Sequence, residues 1–449
     1  MNTIVAPATA QGRSAIAVIR LSGPESLTVA AKIVEGGLRP APRKASLKTI
    51  INRDGEVLDR ALVTYFNGPD SFTGEDVVEI SCHGSPIVLR QILDRVLELG
   101  VRLAEAGEFT LRALANQKLN LSQAEAIRDL IDARSSVAAK QAVRQLGGEL
   151  SGRLAPLKER LLEIIVLLES ALEFVEDDLP ATDAAQVAQD LSSMMSDLDQ
   201  LAETFSLGHL LTDGIKVAII GPPNVGKSSL FNSLLGIDRA IVTNIPGTTR
   251  DSISEQISFA GVPVSLIDTA GVRDAGDAIE IIGIERTRQA VADADLALVV
   301  LDGSITLSEN DWRVVDQLDS TPAVIAINKQ DLCSFMNPFG NAYDGKTVVQ
   351  VSALTGSGLA ELRTAILQPF NSATTDSAGL LITNARHYDL LRRAVAELGS
   401  SLQCLHEEAS EELVLVGLHN ALRNLGEITG ETTAEDILNR IFATFCIGK

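Results

Sequence analysis

The stretch KVAIIGPPNVGKSS, residues 216–229, decides the fold. Its first half is a short apolar run rich in β-branched residues and predicts a buried strand. Its second half, Gly221 to Ser228, is a G-x-x-x-x-G-K-S phosphate loop. The glycines let backbone N–H groups approach phosphate oxygens, and a helix from Ser229 onward adds its positive N-terminus. Lys227 is expected to reach the β- and γ-phosphates, and the Ser228 hydroxyl to ligate Mg2+. A fortuitous Gly-rich turn would not sit between a strand and a helix.

Outward from this loop, VSLID, LALVVLD and AVIAIN repeat the apolar strand pattern between helical segments. That alternation predicts a doubly wound parallel sheet. Each later strand ends on a polar signal. Asp268-Thr269-Ala270-Gly271 suits a carboxylate behind a magnesium shell and a glycine amide aimed at the γ-phosphate. Asn328-Lys329-Gln330-Asp331 ends AVIAIN. The Asp331 carboxylate can accept the N1–H and 2-amino hydrogens of guanine, which adenine does not offer, and a site built on such bonds discriminates strongly. Ser352-Ala353-Leu354 follows VVQV and places a backbone N–H near guanine O6. Together the set predicts guanine-nucleotide binding at the C-terminal ends of the strands. After Gly271, where many GTPases carry a water-orienting Gln, stands Val272, which cannot do that work. Glu280 in the downstream loop is a candidate for it, against the plainer reading of a solvated loop acid.

The 449 residues suggest about three domains at ~150 residues each. The 45% hydrophobic and 22% charged content is that of a globular chain and excludes a largely disordered or fibrous one. Net charge is −21, unevenly spread: residues 1–53 hold eight Lys or Arg against two Glu, and 161–213 hold neither Lys nor Arg. Such a surface repels a polyphosphate backbone except where basic residues gather. Four dispersed cysteines read as thiols in a reducing compartment, and with no signal peptide or bilayer-spanning segment this points to the cytoplasm. Residues 1–118 mix β-like runs (IAVIRLSG, ALVTYFNG, DVVEISCHG) with a helix at 87–99, an α/β pattern. Residues 119–213 read as helical, opened by a capping box from Ser122 to Glu125. The sheet domain covers 214–369, and 370–449 is helical again. The fold class expected is α/β plus all-α, with the nucleotide domain inserted into the helical one.

Beyond the phosphate loop, several stretches resemble the MnmE (TrmE) family of tRNA-modification GTPases. They are GPPNVGKSSLFN, TNIPGTTRD (243–251), DTAGVRD (268–274), SFTGEDVVEISCHG (71–84), GEFTLRALANQKLNLSQAEAIRDLI (107–131) and FCIGK (445–449). The resemblance covers essentially the whole chain, although Ala106 and Ser85 stand where the family commonly has Pro and Gly. It implies a Ras-like G domain, an N-terminal folate-binding-like domain through which the chain forms a homodimer, and hydrolysis of GTP to GDP. It also implies a flavin-dependent partner (MnmG), joined in a heterotetramer, and an aminomethyl or carboxymethylaminomethyl group added to C5 of the tRNA wobble uridine. The one-carbon donor implied is 5-formyltetrahydrofolate or a related folate, bound by Arg20, Glu79, Lys118 and Lys449.

Carried over by motif, the nucleotide contacts are Asn224, Val225, Gly226, Lys227, Ser228, Ser229, Thr243, Asn244, Ile245, Pro246, Gly247, Thr248 and Thr249. They continue with Asp268, Thr269, Ala270, Gly271, Asn328, Lys329, Asp331, Ser352, Ala353 and Leu354. A potassium ion is implied at Asn224, Thr243, Ile245 and Thr248, and Mg2+ at Ser228 and Thr249. Glu280 matches the family's catalytic acid, acting with Lys227, and Cys446 matches its C-terminal cysteine. Arg250 reads as structural. The competing expectation is a ribosome-assembly GTPase switch, against which the acidic helical flank counts.

Overall fold

The computed structural model describes residues 2–173, 184–237, 254–259, 262–268, 291, 294–308, 312, 322–339, 342–343, 345–370, 379–431 and 448. Two compact units emerge. The first gathers residues 1–131, 143–191 and 396–449, the second 132–142 and 192–395.

The first unit opens with a six-stranded sheet of β1 (Ile4–Pro7), β2 (Ile16–Ser22), β3 (Ser46–Ile51), β4 (Val57–Phe66), β5 (Val77–His83) and β6 (Arg102–Leu103). Its order is β3-β4-β5-β2-β1-β6, antiparallel except for the β1–β6 pair. Alternation along the strands explains which face is covered. Ile19, Val63, Ile80 and Cys82 point into one core, which is closed by Val29 and Ile33 of α1 (Ser26–Ile33) and Ile92 and Val96 of α2 (Pro86–Leu97). Arg20 and Glu79 alternate onto the other face, as register partners on β2 and β5. A third helix, α3 (Glu108–Ala115), follows β6. Neither α1 nor α3 is conspicuous in the sequence, since each is only 8 residues long.

Five helices follow: α4 (Leu121–Asp132), α5 (Ser136–Leu146), α6 (Glu149–Glu173), α7 (Ala184–Glu203) and α8 (Phe205–Asp213). The capping box that opens α4 lies two residues ahead of the one expected from Ser122 and Glu125. Asn120 Oδ1 accepts from the Gln123 N–H at 2.9 Å, and Gln123 Oε1 accepts from the Asn120 N–H at 3.1 Å. Asn at the cap and Gln three residues on satisfy the same pair of orphan donors. Ser122 and Glu125 are buried inside the helix instead.

The second unit holds a seven-stranded sheet of β7 (Ile215–Ile220), β8 (Ser254–Phe259), β9 (Val262–Asp268), β10 (Leu296–Asp302), β11 (Ala323–Asn328), β12 (Ala342–Tyr343) and β13 (Lys346–Gln350). The order is β12-β13-β11-β10-β7-β9-β8. The five inner strands run parallel, as expected, while β8 and β12 add antiparallel edges. Every residue of β10 and β11 is buried, as a sheet covered on both faces requires. Helices α9 (Lys227–Ile237) and α10 (Leu359–Leu367) contribute Leu230, Leu234, Leu362 and Ile366 to one of those cores. The last helices described are α11 (Ala385–His406) and α12 (Glu411–Thr429), the latter packed on α6 with His419 Nε2 3.0 Å from Glu169. Among the described residues no helix is long and apolar enough to cross a membrane.

Candidate functional site

Strand β7 delivers the chain into the loop 221–226, whose backbone only particular residues tolerate. Gly221 has φ 147°, and a Cβ there would stand 2.2 Å from the Val300 carbonyl oxygen. Gly226 has φ 96°, and a Cβ there would meet Asn328 Nδ2 at 2.3 Å. Asn224 turns the exposed tip with φ 65°, a left-handed conformation that Asn accepts more readily than most residues. The Leu230 N–H donates to the Gly226 carbonyl at 2.9 Å, so α9 opens at Lys227, two residues ahead of the expected start. Lys227 reaches back over the loop, its Nζ donating to the carbonyls of Gly221 at 2.8 Å and Pro222 at 2.6 Å.

Asn328 ties this loop to the rest of the site. Its Nδ2 donates to the Val225 carbonyl at 2.9 Å, and its Oδ1 accepts from the Ala353 N–H at 3.0 Å. It is 2% exposed, so both halves of the amide need these partners. Ser352 Oγ donates to Asp331 Oδ1 at 2.6 Å and accepts from the Thr355 N–H at 3.1 Å, which fixes the carboxylate while leaving it exposed. Lys329, with φ 69°, pairs its ammonium with Asp302. Burial pushes the Asp302 carboxyl up, but hydrogen bonds from Lys329 and Ser304 outweigh it and hold the group below the ordinary carboxylate range. Asp268 ends β9 opposite Ile219 of β7, beside the entry to the phosphate loop.

A second polar cluster lies in the first unit. Arg20 donates from Nε and Nη2 to Glu79 Oε1 at 2.9 and 2.7 Å. Its guanidinium carbon is 5.6 Å from the Phe72 ring centroid and 5.8 Å from that of Phe109. The Lys118 stem approaches Gly74, where a Cβ would lie 3.4 Å from Lys118 Cγ. Behind them Arg112, 3% exposed, donates to both oxygens of Glu75, to Glu108 and to the Asn2 carbonyl. Gly448 lies against the end of β1, where a Cβ would stand 2.0 Å from the Pro7 carbonyl oxygen. Gly448 therefore lies against the N-terminal sheet of its own protomer.

Residues 3–118 match the family described as GTP-binding protein TrmE N-terminus, and residues 121–446 match the MnmE helical domain. The chain is 43% identical over 453 residues to the tRNA modification GTPase MnmE of Koribacter versatilis (strain Ellin345), covering 100% of this chain and 99% of that protein. The MnmE of Aquifex aeolicus (strain VF5) is also 43% identical, over 447 residues and 99% of each chain. This chain belongs to the MnmE family. Among solved structures, the G domain of the T. maritima FeoB iron transporter is 29% identical, covering 34% of this chain and 97% of that one, with a TM-score of 0.27.

Within this MnmE-family chain, the structure brings the Asn224–Ser229 loop, Asn328, Lys329, Asp331, Ser352 and Ala353 to one end of the seven-stranded sheet, with Leu354 84% exposed beside them. It also brings Arg20 and Glu79 together. Thr243, Asn244, Ile245, Pro246, Gly247, Thr248, Thr249, Arg250, Thr269, Ala270, Gly271, Val272, Glu280, Cys446 and Lys449 lie outside the described residues. Asp302, the partner of Lys329 at this end of the sheet, was not revealed by the motifs. The sequence shows only an acid at the end of an otherwise apolar strand, and the fold supplies its register with Asn328.

Proposed function

We propose that this protein binds and hydrolyses GTP at the end of the seven-stranded sheet, and that hydrolysis serves tRNA wobble-uridine modification. The bridge from Val225 through Asn328 to Ala353, with Asp331 held by Ser352, carries the reading. It couples a phosphate cradle to a carboxylate suited to the guanine edge. The names of the relatives supply the tRNA.

The donor types fit the ions expected. Asn224, at the exposed tip of the loop, offers an amide oxygen to potassium, joined by Thr243, Ile245 and Thr248. Ser228 offers a hydroxyl to Mg2+, joined by Thr249. Held by these residues, potassium would supply positive charge beside the phosphates, the kind of work an arginine finger does elsewhere. Lys227 holds the phosphates, and Glu280 positions the water that Val272 cannot.

In the first unit, Arg20, Glu79, Lys118 and Lys449 bind 5-formyltetrahydrofolate or a related folate, which supplies the one-carbon unit. A carboxylate suits the pterin edge and cations suit the glutamyl tail. The other face of the six-stranded sheet supports a homodimer: the register partners Leu47 and Leu62 are 56% and 46% exposed. The flavin-dependent partner completes a heterotetramer. Free Cys82, Cys333 and Cys404 suit the reducing cytoplasm.

A strain lacking the protein tests the reading. Its tRNA should lose the modified wobble uridine, and the purified protein should turn over GTP faster in potassium than in sodium at equal ionic strength. Unchanged tRNA nucleosides would overturn the tRNA role, and equal rates in the two salts would overturn the potassium site.

A further inference from the structure

The loop from Asp70 to Asp76 is held at almost every residue. Arg43 Nη2 donates to the Asp70 carbonyl at 2.6 Å, and Ser71 Oγ donates to the Glu75 carbonyl. Thr73 Oγ1 shares a 2.7 Å hydrogen bond with Ser22 Oγ, and the Thr73 carbonyl accepts from Asn116 Nδ2 at 2.6 Å. Glu75 takes two bonds from Arg112, and Asp76 Oδ1 accepts from Tyr65 and from the Gly68 N–H. In the middle of this rigid loop Phe72 remains 37% exposed, next to Thr73, which is fully buried. An aromatic ring fixed part-open to water forgoes burial that a mobile loop could recover by folding over.

Its surroundings are not those of a surface residue. The Arg20 guanidinium stands 5.6 Å from the Phe72 centroid while donating to Glu79, and the other ring beside Arg20, Phe109, is fully buried. A flat apolar face, a cation and a carboxylate thus converge at partly accessible side chains, and the turn at Gly74 brings the Lys118 stem close to the same loop. That combination recognises a planar heterocycle with hydrogen-bonding edges: the ring face stacks, and the charged groups read the rim.

We infer that Phe72 is the stacking platform for the flat pyrimidine half of the pterin, beside Glu79 and Arg20. This rests on the folate reading of the N-terminal unit and adds to it the residue that recognises the ring face. The bonds at Thr73 and Glu75 hold the platform ready, so ligand binding needs no ordering of the loop.

Titration calorimetry of the full-length protein with (6S)-5-formyltetrahydrofolate tests it, using Phe72→Ala, Phe72→Leu, Phe72→Tyr and Arg20→Ala. Phe72→Ala should bind about tenfold more weakly. Phe72→Tyr should bind as wild type, Phe72→Leu should fall between, and GTP affinity should not move in the three Phe72 variants. If Phe72→Leu or Phe72→Ala binds like wild type while Arg20→Ala loses the ligand, Phe72 is no platform and the folate reading stands. If Arg20→Ala also binds like wild type, the folate reading itself fails. If Phe72→Ala is monomeric by light scattering and regains folate at concentrations that restore the dimer, its role is in association, and the inference is overturned.

Discussion

Asn328 shows how much of the proposed guanine site depends on one buried amide. Loss of its side chain leaves the buried Val225 carbonyl without that partner, a penalty of about 1–3 kcal/mol, and takes the acceptor from the half-buried Ala353 N–H. Asp331 is different, because it is exposed, and in the proposed pocket it would serve recognition more than folding. Asp331→Asn replaces an acceptor by a donor where guanine offers hydrogens, whereas xanthine carries a carbonyl at the 2-position. The variant should therefore keep its melting temperature, lose GTP affinity and gain affinity for XTP. Competition binding measures this, and a wild-type preference for GTP would remove Asp331 from the pocket. These residues were legible in the sequence because polar motifs that close one apolar strand after another mark the ligand-binding end of a parallel sheet. Asp302 was not, since its partnership with Lys329 depends on β10 and β11 lying side by side.

At the level of elements, α3 joins the N-terminal sheet through an ion network. Glu108 accepts from Arg102 and Arg112 and from the Glu105 N–H. Burial raises its carboxyl pKa, but these partners more than offset that and lower it from 4.5 to about 2. Above the ordinary value of 4.5 the carboxylate is charged whether the chain is folded or not, and its ion pairs stabilise the fold in full. Below 4.5 the unfolded chain takes up the proton first, and the advantage declines until the folded carboxyl protonates near 2. Glu108→Gln should thus melt below wild type at pH 7, with the gap closing as pH falls from about 4.5 toward 2. Melting temperatures across that range decide it, and a gap independent of pH would rule out the ion network as its source. The inner parallel strands were readable because burial on both faces writes an unbroken apolar run. Short α1, α3 and β6 were not, because 8 residues or fewer carry too little periodicity to separate from a loop. The shifted capping box has a similar cause. Both Asn120–Gln123 and Ser122–Glu125 satisfy the pattern, and only the burial of Ser122 and Glu125 chooses between them.

For the molecule as a whole, composition divides the chain at about residues 118, 213 and 369, whereas the compact units gather distant stretches. Residues 132–142 belong with 192–395 because Gln141 bonds to the Gly379 carbonyl and the Leu381 N–H. Such pairings across more than 200 residues have no signature in a local window. The same holds for the C-terminus. Lys449 lies more than 300 residues from Lys118 along the chain, and only a fold that returns the C-terminal end can unite them. Gly448 against Pro7 is that return, and Pro7 is in register with Ile19, the neighbour of Arg20. Gly448 has φ 102°, so Gly448→Ala both strains the backbone and drives a Cβ to 2.0 Å from the Pro7 carbonyl oxygen. If the terminal lysine contributes to the proposed folate site, displacing the end should weaken folate while leaving the distinct nucleotide site alone. Deletion of Phe445–Lys449 and Gly448→Ala should both lower formyl-folate affinity in calorimetry, with GTP affinity unchanged. Lys449→Gln should reproduce much of that loss without disturbing the backbone. Wild-type folate affinity in all three would remove the C-terminus from the site and leave Arg20, Glu79 and Lys118 to bind the ligand alone.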